Sequence, residues 1–256
     1  MEINNKWIDA VQYRTSRRTY IDKKLERKDI NKLEELILKI NKESGLHFQF
    51  IEDCSNLFKG FSASYGMIKG LNSCIALVGN TNIDNYKTKS GYYGEVLVLE
   101  ATRMNLGTCW IGGTYDKKEC KKYIDINQDE EIICVIAVGE VLKDKSTREK
   151  LISKMSKGKK TVDEVLLEKD VELLPNWIKE GVSFATKAPS ALNKQPVRYS
   201  FSQNLVKAYT ISDKYGYEDI DLGISMLHFE LGAKSQSYNG NWNYINGEKV
   251  YNLLEK

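Results

Sequence analysis

Two stretches of this 256-residue chain are too apolar to lie on a surface. Residues 94–106 read as a helix with apolar side chains on nearly every face, and residues 219–232 read the same way. Such a helix has to be covered on all sides. Each stretch therefore demands further layers around it, and together they demand a large shared core. Both end in Leu-Gly, at Leu106-Gly107 and Leu231-Gly232. A second echo lies upstream: Asn176-Trp-Ile-Lys-Glu-Gly-Val182 resembles Asn5-Lys-Trp-Ile-Asp-Ala-Val11. From Pro175 the chain reads as beginning again, with a full first part and a trimmed second part.

The remaining segments supply the layers. Residues 28–43 form the clearest amphipathic helix, with Ile30, Leu33, Leu36, Ile37 and Ile40 on one face and Gly45 as a left-handed cap. Residues 4–13 make a short helix. Residues 47–51 alternate as a strand. Residues 73–78 and 132–141 are continuous apolar runs, the mark of buried strands. Residues 199–201 and 206–209 pair as a hairpin, and residues 242–245 are the last strand expected. Residues 108–113 read as an extended loop ending in glycine. Residues 143–160 read as a surface helix and loop.

Charge narrows the function. The chain has 38 basic and 35 acidic residues, a net charge of +3, which argues against nucleic acid as a partner and leaves a small anionic ligand open. No apolar run is long enough to span a bilayer, and the N-terminus has no apolar signal core, so no membrane partner is expected. Five scattered cysteines without a C-x-x-C pair read as free thiols in a reducing compartment, hence a cytoplasmic protein. There is no dinucleotide fingerprint and no P-loop. His47 and His228 stand alone, so no metal site is expected, and His228 reads as a satisfied structural residue. Cys109 reads as an inert buried thiol.

Four clusters carry chemistry. In Arg14-Thr15-Ser16-Arg17-Arg18, alternate side chains of an extended loop point the same way, which turns Arg14, Ser16 and Arg18 toward one ligand. Guanidinium forks match phosphate and carbonyl oxygens. Taken alone, a solvated basic turn explains this cluster as well. In Ala188-Pro-Ser-Ala-Leu-Asn-Lys-Gln-Pro196, two prolines stiffen the chain, and Asn193 offers a donor and an acceptor to a flat heterocycle. In Leu106-Gly-Thr-Cys-Trp-Ile-Gly-Gly113, the glycines let backbone approach a flat ligand. Lys157, Lys159 and Lys160 could neutralise a phosphate or form a solvated run.

Together these segments resemble the nitroreductase family of flavoproteins. Residues 13–20 look like its R-x-S-x-R motif, residues 188–196 like its A-P-S-x-x-N-x-Q-P segment, and residues 100–113 like its long central helix and glycine turn. The lysine run resembles its basic phosphate element, with lysine where arginine is common. The resemblance implies an α+β, nitroreductase-like fold: a central, mostly antiparallel sheet flanked by helices. The A-P-S segment follows the second helix in ordinary members; here it is missing near Gly45 and present after residue 185. That displacement implies two related halves in one chain, an internal pseudo-dimer, divided as residues 1–165 and 166–256. One FMN per chain follows. Arg14, Thr15, Ser16, Arg18, Trp110, Ile111, Gly112, Gly113, Lys157 and Lys159 would bind it from the first half. Pro189, Ser190, Ala191 and Asn193 would bind it from the second. NAD(P)H would be the electron donor in a ping-pong cycle passing electrons to a nitroaromatic, quinone or similar small molecule, with no catalytic side chain. A non-catalytic flavin-binding protein, for storage or sensing, and a scaffold that has lost the cofactor are the alternatives. A monomer is expected, with a homodimer also compatible.

Overall fold

The computed structural model describes residues 3–59, 68–155, 158–167, 174–202, 205–211, 216–245 and 247–254. In chain order the first part contains α1 (Lys6–Tyr13), α2 (Arg27–Ser44), β1 (Gln49–Ile51), β2 (Ser73–Asn80), α3 (Tyr86–Arg103), β3 (Gly107–Ile111), α4 (Lys117–Cys120) and β4 (Glu130–Gly139). Two short helices, α5 (Thr147–Met155) and α6 (Val162–Val165), lead to the second part. That part contains α7 (Asn176–Thr186), β5 (Val197–Ser202), β6 (Leu205–Thr210), α8 (Glu218–Ser235), β7 (Gly240–Ile245) and β8 (Glu248–Leu253).

The two apolar helices form the centre. α3 and α8 pack against each other, and each lies against the sheet of its own part. The close approach depends on a missing side chain: a Cβ on Gly223 would collide with the Thr88 carbonyl oxygen and the Tyr92 nitrogen of the facing helix. α3 starts two turns earlier than the sequence suggests, because Lys87, Lys89 and Ser90 disguise its first turns as a loop.

The sheet is divided in two. One runs β1-β2-β4-β3 and the other β5-β6-β8-β7, every neighbouring pair antiparallel. The same order of elements therefore occurs twice, and the topology corrects both echoes. α7 is followed at once by the first strand of its sheet, so it stands in the place of α2, not of α1. Gly107 opens β3, whereas Gly232 lies inside α8, and the strand matching β3 opens at Gly240. The expected last strand is followed by another, β8, paired with β7 through Ile245↔Glu248. The Asn246-Gly247 dipeptide, a strong hairpin signal, announces it in the sequence.

α2 spans the expected residues, and Gly45 closes it with φ of 74°. Its buried stripe, Ile30, Leu33, Ile37 and Ile40, joins Trp7 and Val11 of α1 over α3. The outer face of the first sheet is covered by loops around Tyr20, Leu57 and Tyr115. All five cysteines are buried and unpaired. Among the described residues, no helix is long and apolar enough to cross a membrane.

Candidate functional site

The arginine loop is built from both sides. α1 ends at Tyr13, and the chain turns extended at Arg14. The loop then runs parallel to β3, with Ser16 bridging Thr108 and the Arg17 amide donating to the Thr108 carbonyl at 2.8 Å. On its other edge the Lys69 amide donates to the Arg18 carbonyl at 2.9 Å. Alternation holds: Arg17 turns inward, opposite Ser16. Its guanidinium donates to Glu149 Oε1 at 3.1 Å and to the carbonyls of Leu142 and Asp144 at 2.9 and 3.2 Å. Glu149 also accepts from the backbone amides of Arg18 at 2.7 Å and Ser146 at 2.8 Å. Burial would raise its pKa, but those amides and Arg17 hold it down to about 2. Residues 144–149 are thus more than surface: they lock the loop. Nothing in the charged 143–160 pattern singles out Glu149.

Arg14 points into the molecule. Its Nε lies 3.6 Å from Oε1 of Glu95, a fully buried carboxylate in the middle of α3. The indole of Trp110 donates to Glu95 Oε2 at 2.9 Å. His228, from α8, brings Nε2 within 2.9 Å of Glu95 Oε1. Arg14 also reaches the second part directly, donating from Nη2 to the Lys187 carbonyl at 3.4 Å. Yet Arg14 Nε is buried with no hydrogen-bond partner among the described residues. An orphaned charged donor of this kind calls for an explanation, and a missing acceptor supplies one.

The segment from Ala188 to Gln195 follows α7 and faces the same seam. Lys159 is exposed as a residue, but its ammonium turns in and donates to the Ala188 carbonyl at 2.6 Å. Desolvation and the nearby Arg14 push its pKa down to about 8. Pro189 is buried. Ser190 Oγ accepts from the Gln195 amide at 2.9 Å, and Asp221 of α8 accepts from the Ala191 amide at 3.0 Å. Leu192, Asn193 and Gln195 all adopt left-handed backbone, at φ of 49°, 55° and 50°. Such residues carry strain that the surroundings must hold in place, and they cluster at functional sites. Here the holders are Asp221, Ser190 and Lys160, whose amide donates to Gln195 Oε1 and whose ammonium donates to the Gln195 carbonyl, each at 2.9 Å.

The glycine turn also touches the second part. Residues 108–111, read as part of an extended loop, instead lie in the edge strand β3, which Gly107 opens, leaving Gly112 and Gly113 as the turn. A Cβ on Gly112 would come within 2.5 Å of the Tyr217 ring, at the N-terminus of α8. Backbone, not side chain, is what this turn presents.

Arg14 thus meets the Lys187 carbonyl, Lys159 meets the Ala188 carbonyl, Trp110 shares Glu95 with Arg14, and Gly112 and Gly113 lie against Tyr217 at the start of α8. Ser16 joins them through its pairing with β3, and Thr15 lies between in the same loop. The Arg18 side chain makes no hydrogen bond among the described residues. Ile111 is buried in the outer core with Cys109 and Tyr115, so its side chain points away from the seam. Lys157 lies outside the described residues. Glu95, Glu149, Asp221, Tyr217 and His228 escaped sequence reasoning as members of the seam. Asp221 meets Ala191 across 30 residues, Glu149 meets Arg17 across 132 and His228 meets Glu95 across 133; a buried carboxylate in an apolar helix, such as Glu95, was the one available signal. A cavity of about 490 Å³ lies elsewhere, between Ile3, Glu230 and Tyr251, and no predicted residue lines it. Among the described residues no His, Cys, Asp and Glu group could hold a metal ion.

Chemically, the seam offers cations, a strained polar loop and a glycine turn packed against Tyr217. The architecture matches that of a solved "putative nitroreductase" from Thermotoga maritima. That match has a TM-score of 0.66 and 20% identity over 99% of this chain and 95% of that one. An FMN-dependent nitroreductase from Clostridium difficile aligns with 59% of this chain and 98% of its own, with 18% identity and a TM-score of 0.44. The Thermotoga match puts the fold in the nitroreductase class. The sequence model of the family described as "Putative TM nitroreductase" matches residues 6–233, and the chain belongs to that family. None of the curated proteins matches it in sequence.

Proposed function

We propose that this protein is an FMN-dependent NAD(P)H oxidoreductase whose single flavin sits at the seam, between a first half at residues 1–165 and a shortened second half at residues 166–256. One observation carries the reading: the arginine loop and the A-P-S segment, some 170 residues apart in sequence, meet through Arg14 and the Lys187 carbonyl. The residues present fit the cofactor. Arg14 has a buried donor without an acceptor, and Lys159 adds a second cation.

Arg14, Ser16 and Lys159 would hold the phosphate side, and Arg18 the electron-rich edge of the ring system. Pro189, Ser190, Ala191 and Asn193 would frame the ring from the second half. Trp110 would act through its indole, Gly112 and Gly113 through their backbone. Lys157 is assigned by its resemblance alone. When bound, FMN supplies hydride and electron transfer, in a ping-pong cycle between a nicotinamide donor and a nitroaromatic, quinone or similar acceptor. The protein's own work is binding, orientation and charge. The internal pairing of halves supports a monomer, and five unpaired thiols support a cytoplasmic location.

The test is the visible spectrum of FMN-incubated, desalted protein, recorded anaerobically before and after NAD(P)H. Bound flavin that bleaches supports the oxidoreductase. Bound flavin that resists NAD(P)H replaces it with a flavin-storage or flavin-sensing protein. No bound flavin overturns both.

A further inference from the structure

Glu95 and His228 are both fully buried, and each comes from a different half. Neither lies in a segment assigned to the cofactor. His228 has oxygens on both sides: Nδ1 is 3.3 Å from the Phe184 carbonyl oxygen, and Nε2 is 2.9 Å from Glu95 Oε1. A carbonyl oxygen only accepts, so Nδ1 carries a hydrogen. The contact at Nε2 needs a hydrogen too. Without one, two lone pairs would face each other in a dry core. The pair therefore holds one shared proton and is neutral as a unit, whichever atom carries it. Trp110 occupies the other carboxylate oxygen. Arg14 stops 3.6 Å short of Glu95 and leaves its Nε without a hydrogen bond among the described residues.

We propose that Glu95 and His228 are a proton-sharing pair that keeps Arg14 available to an anionic ligand. His228 cancels the carboxylate's charge, so the guanidinium is placed by Glu95 without being neutralised by it. Both are positioning residues acting through Arg14, and the role rests on the flavin reading insofar as the anion is the FMN phosphate. The groups facing the pair are Arg14 from the loop, Lys159 from the segment before α6, Trp110 from β3 and the Phe184 carbonyl from α7. Asp221 of α8 acts on it through Lys159. Burial favours loss of the imidazole's proton, Arg14 and Lys159 add to that, and Glu95 opposes both. Losing the shared proton would leave a bare carboxylate beside Arg14, which then pairs with it.

The test compares FMN with riboflavin, which lacks the phosphate, by flavin-fluorescence quenching. His228→Gln keeps an amide in place of the ring but supplies no shared proton. FMN affinity is expected to fall about tenfold, as a charge-assisted contact is lost, with riboflavin affinity unchanged. Adding Glu95→Gln removes the charge that captured Arg14 and is expected to restore FMN affinity. A double variant as weak as the single overturns the proposal, because a purely structural pair would not be rescued. Nitrogen-15 NMR of the wild-type imidazole decides the matter independently of variant folding. Protons on both ring nitrogens, or on Nδ1 with Nε2 accepting from Glu95, support the shared proton; a bare, unbonded Nε2 overturns it. Wild-type protein that binds neither flavin takes down the functional reading instead, and the NMR result still judges the pair.

Discussion

The two halves place a tryptophan at matching points and use it differently. Trp110 on β3 stands opposite Ile136, and Trp242 on β7 stands opposite Tyr251. Each indole donates to the central helix of its own half. Trp110 finds the Glu95 carboxylate at 2.9 Å; Trp242 finds the Met226 carbonyl at 3.1 Å. Around Trp242 the rings of Phe229 and Tyr251 close in at 5.6 and 5.1 Å, an aromatic core. Around Trp110 lie Arg14, Glu95 and His228. The same topology thus yields packing in one half and a charged seam in the other. What differs beside the indole is a carboxylate, Glu95, in place of a backbone carbonyl, and an arginine loop at the sheet edge. Among the described residues the second half has no counterpart of α1, and so nothing delivers a second arginine loop. Function lives in the grafted groups, not in the strand order.

The sharpest way to break this contrast is to unlock the loop. Glu149→Ala would leave Arg17 buried without its carboxylate, a loss of about 3–5 kcal/mol, read by urea unfolding. A loss under about 1 kcal/mol would mean that the loop is not held from beneath. The same residue gives a pH signature. Its folded pKa of about 2 lies below the ordinary carboxylate value, so its contribution is present above that ordinary value, near 4.5. The contribution is lost progressively as pH falls toward 2. The Glu149→Ala variant should therefore lose less stability than the wild type between pH 5 and about pH 2.

Next comes the contact between the central helices. Gly223→Ala gains helix propensity of about 1 kcal/mol, but its Cβ must push into the Thr88 carbonyl, and backbone cannot yield as a flexible side chain can. A net loss of about 1–3 kcal/mol is expected, with weakened flavin binding because the seam opens. Unchanged stability would show that the halves tolerate separation and that the seam is looser than its packing.

These two cases also mark how far the sequence can be read. Patterns local to one element were legible: the α2 stripe, the Gly45 cap, and the buried runs of β2 and β4. What was lost depends on pairing across the chain. Glu149 meets Arg17 across more than 130 residues, and nothing near either residue in sequence announces the other. The echo at Asn176 misled because an Asn-Trp helix start is a local likeness, whereas equivalence is decided by which strand follows. β3 looked like a loop because its glycines and its Cys-Trp pair conceal an edge strand whose alternation is only five residues long. Lys159 was legible as a cation, but not that its ammonium would cap the Ala188 carbonyl.

A smaller effect tests the tryptophans directly. Trp110→Phe removes the indole that donates to Glu95 Oε2, and a buried carboxylate losing a donor loses about 2 kcal/mol. Trp242→Phe takes the indole from the Met226 carbonyl, an uncharged acceptor in the middle of α8 that keeps its place in the helix ladder, so about 1 kcal/mol is expected. Thermal unfolding of the pair orders them. Equal losses would erase the distinction between a charged and an aromatic setting.

The smallest expected effect concerns the second half's own contribution. Leu192 is 70% exposed and holds φ of 49°, so its side chain buries little while its backbone stays strained. Leu192→Gly relieves a left-handed penalty of about 1 kcal/mol and adds unfolded-chain entropy of about 0.5–1 kcal/mol. The melting temperature should therefore barely move. Flavin affinity should fall all the same, because Asn193 and Gln195 would be held in their own left-handed conformations by a looser neighbour. Stability and binding would then respond separately to one substitution, as they must if the first half supplies charge and the second supplies shape. If affinity stays constant while stability rises, the strained backbone is incidental to the seam.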